Sequence, residues 1–315
     1  MIHTTLLSTG IPSAEDLSSD FMVTLTRVSI TGITVVCVNL FVLISGWFGI
    51  NPKGKKLAAL IFQLGFFIVI CLIYGFFRQG SMSISEMLRT VRLYNMWWFV
   101  KSYILLYFLS PVLNAFCEHA TKKEFALVLM AFYCFSSVSW LIHFVDWMAN
   151  GYCTMSFVGL YLLARFIKLH LSGFIASVGK WWMFFAYILF SLLTIMFYYI
   201  QTVHDIMPLW NREIFGYDSP FVILAALSLL LLFSKIRIRS NIINWIAKSC
   251  FAVYLLHTGN YIFPDFKAHL SQYYQNHSYW IYLPYSIVFS VFVFAIGILI
   301  DKIRIMSWNL IARKR

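Results

Sequence analysis

Long apolar runs separated by short polar loops set the pattern of this chain. The runs fall near residues 29–50, 57–77, 96–116, 124–145, 152–169, 181–200, 219–236, 242–261 and 279–300. A helix of about 20 apolar residues crosses the hydrocarbon core of a bilayer. The pattern therefore predicts an all-α fold, a polytopic transmembrane helical bundle of about nine spans, with 1–315 forming a single integral-membrane domain. The run at 242–261 is the weakest, because Lys248, His257 and Asn260 interrupt it. It is expected to be bent or partly re-entrant, since irregular backbone at membrane depth needs protein or a cavity around it.

The stretch 38–56, VNLFVLISGWFGINPKGKK, organises the rest. Its apolar run passes an expected break at Ser45 and Gly46 and ends in Lys53, Lys55 and Lys56. Basic residues at a span end favour the cytoplasmic side. Taken over all loops, the same rule gives a consistent orientation. Loops 51–56, 118–123, 165–180, 235–241 and the tail 302–315 carry 16 of the 24 Lys and Arg, against six in the intervening loops. The first set and the C-terminus are expected in the cytoplasm, with His3 outside or in the outer half of the membrane. Trp97, Trp98, Trp147, Trp181, Trp182 and Trp280, near span ends, read as interfacial aromatics.

Composition adds exclusions. A hydrophobic content of 61%, a mean hydropathy of +0.79 and only 11% charged residues exclude an ordinary soluble domain. The net charge of +12 is distributed over short loops, so it marks topology and gives no reason to expect nucleic acid. Six scattered cysteines without a CxxC pair speak against zinc and structural disulfides. The first twenty residues lack the basic and apolar regions of a signal peptide. They read either as a short outer tail or as the outer end of a helix that begins upstream.

Ionisable groups within apolar runs are candidates for chemistry, because burying them in a membrane is costly. Lys101 lies near an outer span end, where it can snorkel outward or serve a buried role. Tyr103, Tyr107, Ser110 and Asn114 form one helical stripe, expected to be kinked at Pro111. Interhelical hydrogen bonding explains such a stripe, and so does the lining of a polar cavity, which is the favoured reading. Ser139, His143 and Asp146 share a helical face and resemble a triad in composition only; a polar cap fits them better. His257, with Tyr254 one turn before it, fits a structural or a site role equally. Lys53, Lys55 and Lys56 read as topology determinants and, compatibly, as a clamp for a phosphate-bearing donor. The tail from 301 onward, basic with interspersed Ile, Met and Leu, reads as an interfacial anchor.

Five segments, VNLFVLISGWFGI, WWFVKSYILLYFLSPVLNAF, FVGLYLLARFIKL, GYDSPFVILAALSLLLLF and NWIAKSCFAVYLLH, in this order and spacing, resemble the acyltransferase-3 family of bacterial membrane acyltransferases. That resemblance covers essentially the whole chain. It implies a multi-pass enzyme of the bacterial cytoplasmic membrane that binds no resident cofactor. Such an enzyme moves an acyl group, commonly acetyl, from cytoplasmic acyl-CoA to a hydroxyl of an envelope glycan or lipid-linked saccharide. MIHTTLLSTG is similar to the region around the family's catalytic histidine, which implies His3 as general base on the acceptor hydroxyl. The family's basic partner, about three turns earlier, would precede Met1. About ten spans are then expected with a complete N-terminus, and activity is expected to need that upstream half-helix. Asp218 stands where similar sequences often have Asn. The resemblance further implies donor binding by Lys53, Lys55 and Lys56, and a cavity lined by Asn39, Lys101, Tyr103, Tyr107, Asn114 and His257. Acceptor selection is expected from loop 201–217, with His204, Asp205, Trp210 and Arg212. Two other readings are a flippase or transporter for a lipid-linked sugar, suggested by the intramembrane charges, and an inactive acyltransferase remnant.

Overall fold

The computed structural model describes residues 2–93, 97–142, 146–204 and 214–312. Among them the chain is helical, with no strands. In order these are α1 (Ile2–Thr9), α2 (Ala14–Ser19), α3 (Phe21–Thr34), α4 (Cys37–Phe48), α5 (Gly54–Gln79), α6 (Ile84–Val91), α7 (Trp98–His119) and α8 (Lys122–Ile142). After a 3-10 turn at Asp146–Gly151 come α9 (Thr154–His170), α10 (Ser172–Ser177), α11 (Lys180–His204) and α12 (Pro220–Ser234). The chain ends in α13 (Asn241–Ala247), α14 (Cys250–His257), α15 (Ile262–Asn276) and α16 (Tyr279–Ala312).

Six helical stretches among the described residues are long and apolar enough to cross a membrane: Phe21–Phe48, Gly54–Gln79, Trp98–His119, Lys122–Leu141, Lys180–Val203 and Tyr279–Ala312. The first differs from its expected boundary. Helix begins at Phe21, so Arg27 lies inside it and not in an outer loop. The charge is accommodated there because its guanidinium meets carbonyl oxygens of α1, described below. The break in this stretch also falls elsewhere. Ser45 and Gly46 are in mid-helix, and the interruption is a loose turn at Val35 and Val36, both still near right-handed helical angles.

Gly46 instead permits close packing. α4 crosses α9 in the main core, with Val42, Leu43, Leu106, Phe157, Leu160 and Tyr161 buried around them. A Cβ on Gly46 would stand 2.6 Å from the carbonyl oxygen of Tyr161 and 2.9 Å from the Ala164 Cβ. Gly65 in α5, by contrast, has open space where a Cβ would go. Gly46→Ala is therefore expected to destabilise by about 1–3 kcal/mol through overpacking. Gly65→Ala should be neutral or stabilising by up to about 1 kcal/mol through helix propensity. Unfolding midpoints of the two variants in detergent check this; equal shifts would remove the packing argument.

The weak run at 242–261 is broken as its polar residues suggest. Helix stops at Ala247, turns at Lys248 and Ser249, and resumes as α14. Lys302 of α16 stabilises the break, with Nζ donating to the Trp245 carbonyl at 2.6 Å and to Ser249 Oγ at 2.9 Å. The same ammonium lies 4.0 Å above the Trp245 ring. α14 is then held from two sides. Gly259 just beyond it admits Cys71 of α5, and Gly297 of α16 meets Val253.

Pro111 is carried inside α7, where it lacks the N–H that would reach the Tyr107 carbonyl. Ser110 Oγ donates to that oxygen at 2.7 Å, so the acceptor is satisfied. Trp97 does not behave as an interfacial aromatic. It is buried, and its indole N–H donates to the Leu255 carbonyl at 3.1 Å, tying the start of α7 to α14. Trp181, Trp182 and Trp280 are exposed, as interfacial residues are.

Candidate functional site

The site begins with α1, a helix of eight residues. A helix this short has little stability of its own and must be held by its surroundings. It packs between α3 and α15. Thr4, Thr5 and Ser8 are buried, and His3 is half-buried. Tyr282 of α16 donates its hydroxyl to the Thr4 carbonyl, and Tyr198 of α11 donates to the Pro12 carbonyl just past the helix.

His3 meets His257, the last residue of α14. His3 Nδ1 and His257 Nε2 are 2.8 Å apart, with ring centroids 5.0 Å apart. The remaining ring nitrogen of His257 decides how protons are placed. His257 Nδ1 lies 2.6 Å from the Val253 carbonyl oxygen, which only accepts, so Nδ1 carries the hydrogen. In the neutral ring Nε2 is then an acceptor, and His3 Nδ1–H donates to it. His3 is fixed as the Nδ1–H tautomer, and its Nε2 keeps a lone pair. One backbone carbonyl thus sets the chemistry of a side chain 254 residues from His257 in sequence. Phe263 packs edge-on against His3 at 5.5 Å, and Phe266 lies tilted against His257 at 5.6 Å. Both phenylalanines come from α15, which Asp265 ties to the end of α5. Asp265 Oδ2 accepts from Tyr74 Oη at 2.8 Å and Arg78 Nε at 2.9 Å. The Arg78 bond, followed by that from Tyr74, holds the Asp265 carboxyl below its ordinary range.

The other expected lining residues gather elsewhere. Tyr107 Oη bonds the backbone N and O of Lys53, at 3.1 and 3.2 Å. Asn114 Nδ2 donates to the Ile50 carbonyl at 2.8 Å, and its Oδ1 accepts from Tyr161 Oη at 2.6 Å. Tyr161 Oη in turn accepts from the Ile50 N–H at 3.1 Å. Tyr103 bonds Ser45 at 3.1 Å. The stripe on α7 thus fastens the α4–α5 loop and the end of α4. Asn39 is fully buried in the main core and donates to the Tyr217 carbonyl at 2.9 Å. Lys101 is exposed and reaches back to the Leu93 carbonyl at 3.4 Å, the geometry of a snorkelling lysine.

Lys53, Lys55 and Lys56 are exposed at the beginning of α5. Lys53 is the N-cap position, and no side chain caps this helix start. An uncapped helix start and three exposed lysines therefore fall within one turn, a combination that favours anions. Ser139 is buried in α8, while His143 lies outside the described residues. His204 stands at the end of α11; Asp205, Trp210 and Arg212 lie outside the described residues. No group of three His, Cys, Asp or Glu suited to a metal occurs among the described residues.

One residue with a place at this site was missed in the sequence. Arg27 is buried on α3, and its Nη2 lies 2.9 Å from the Thr9 carbonyl, 3.1 Å from Thr9 Oγ1 and 3.0 Å from the Gly10 carbonyl. The signal was available: Thr24, Arg27 and Thr31 recur at helical spacing and are all buried.

An all-helical multi-pass membrane protein with a histidine pair between a short N-terminal helix and a broken one is the class that fold and site define. Its family follows from comparison with known proteins. The Acyl_transf_3 family, described as an acyltransferase domain, matches residues 1–302, and the chain belongs to that family. It is a membrane acyltransferase. No curated protein and no solved structure matches the chain.

Proposed function

We propose that this acyltransferase moves an acetyl group from cytoplasmic acetyl-CoA to a hydroxyl of an envelope glycan or lipid-linked saccharide, in the bacterial cytoplasmic membrane with its C-terminus inside. The observation that carries the chemistry is the fixed tautomer of His3. Its Nε2 takes the proton of the acceptor hydroxyl as the oxygen attacks the thioester carbonyl. The new imidazolium points Nδ1–H at His257 Nε2, which shares the positive charge. Collapse of the tetrahedral intermediate forms the ester and expels the CoA thiolate, which takes the proton from His3 Nε2 to leave as free thiol and returns the ring to its neutral form. Phe263 and Phe266 pack against the pair.

The donor's phosphates would bind at the start of α5, where Lys53, Lys55 and Lys56 lie exposed in the uncapped first turn. Acceptor selection would fall to the stretch 201–217, with His204, Asp205, Trp210 and Arg212.

The test follows labelled acetyl from acetyl-CoA into envelope glycans, using membranes that contain the chain and membranes that lack it. Dependence of labelling on the chain is expected. Changing Lys53, Lys55 and Lys56 together to Gln should raise the KM for the donor and leave kcat nearly unchanged. Removing one charge-assisted hydrogen bond to phosphate costs on the order of 1.5–3 kcal/mol. Membrane abundance is measured in parallel, because the lysines also bear on insertion. An unchanged KM in correctly inserted protein would leave them a topology role alone.

A further inference from the structure

The geometry assigns Arg27 as the positioning residue of the proposed catalytic histidine: it anchors the outer end of α1 and so fixes where His3 points. This rests on the role proposed for His3. Arg27 is 4% exposed, and no carboxylate among the described residues pairs with it. A buried, unpaired guanidinium is costly, so its surroundings must supply compensation. Compensation comes from α1. The Thr9 and Gly10 carbonyls lie at the C-terminus of that helix, where carbonyl groups have no helical N–H to accept from. Nη2 meets both, together with Thr9 Oγ1, and brings positive charge to the negative end of the helix. The guanidinium is held from its other side by Tyr274, whose ring centroid is 5.4 Å away. Tyr274 belongs to a cluster with Tyr282 of α16, the residue that bonds the Thr4 carbonyl.

α1 is therefore fastened twice by its backbone, at Thr4 by Tyr282 and at Thr9 and Gly10 by Arg27. His3 sits one residue before the first fastening. The distance between Thr4 and Thr9 along the axis is about 7.5 Å. Without the Arg27 contacts at its C-terminus, a helix this short can pivot or fray, and the 2.8 Å approach of His3 to His257 is the feature that would suffer. Arg27 itself touches neither imidazole; it acts through the backbone of α1.

Arg27→Gln, made at the chromosomal locus, tests this. It is expected to lower kcat about 10²-fold, with the donor KM within about twofold of the parent, since small misplacements near the chemistry have effects of this size. Arg27→Lys keeps the charge but reaches fewer of the three oxygens, and kcat should fall only about 10-fold. A readout independent of acyl transfer accompanies both. Diethyl pyrocarbonate should modify His3 several-fold faster in Arg27→Gln, with Arg27→Lys intermediate, as followed by mass spectrometry. Parent kcat and parent His3 reactivity in Arg27→Gln would overturn the assignment. So would a loss of activity accounted for by membrane abundance alone. Where Arg27→Gln fails to insert, Arg27→Lys decides by the same two readouts, parent values of both overturning the proposal. If His3 reactivity changes while His3→Ala retains parent activity, the positioning stands and the catalytic role of His3 falls.

Discussion

Replacing His3 by alanine is expected to lower acyl transfer about 10²–10⁴-fold, the usual contribution of a positioned general base. Membrane abundance should stay close to the parent, because the half-buried ring has Phe263 as its apolar ring neighbour. The variant is best made at the chromosomal locus, so that the protein is assayed as the cell makes it. His257→Ala should also impair transfer, since His3 Nδ1–H then loses the acceptor that sets its tautomer. The two histidines form a unit, and units are non-additive. The double variant is expected to be no worse than His3→Ala alone. His257→Gln, whose side-chain oxygen can accept the same hydrogen bond, should retain more activity than His257→Ala. Parent-level transfer by His3→Ala would refute general-base catalysis by this residue.

The second large effect concerns stability. Asp301 is fully buried in α16, and Arg304, one turn on, grips both its oxygens at 2.7 and 3.0 Å. Gln63 of α5 approaches the same carboxylate at 3.4 Å. The residues past 300 were expected to lie at the interface, yet these two are packed inside against α5. Arg304→Met leaves a buried carboxylate without its counter-ion and should destabilise by about 3–5 kcal/mol. Asp301→Leu combined with Arg304→Met removes both charges and should recover most of that loss. Thermal unfolding in detergent distinguishes the outcomes. A double variant as unstable as the single one would mean that the pair's geometry, and not charge balance, holds this end of α16 to α5.

The helical class was legible, and six of the nine expected crossing segments coincide with helices long and apolar enough to span, because apolar runs of that length have few alternative readings. The broken segment before His257 was legible too, since Lys248 interrupts it and the helix stops at that point. His3 and His257 could each be singled out as polar groups in apolar surroundings. Their pairing could not, because nothing local in either segment encodes a contact across 254 residues. Arg27 was overlooked for a related reason. A positional rule treats an arginine near a span end as a loop charge; the helical spacing of Thr24, Arg27 and Thr31 marks a shared face, but the backbone oxygens that compensate the charge leave no trace in sequence. The stripe on α7 was visible as a stripe, but its direction toward Lys53 and Ile50 depends on the turn that brings that loop back.

The fastening of that loop has a kinetic consequence. Three side chains bind the backbone of Ile50 and Lys53, so the start of α5 offers a prepared platform on which only lysine side chains need to move. An anion arriving there meets little ordering cost beyond those side chains. Capture should accordingly be governed by long-range attraction more than by loop closure. Its rate is expected to fall steadily as ionic strength rises and the Debye length shrinks from about 10 Å at 0.1 M to 3 Å at 1 M.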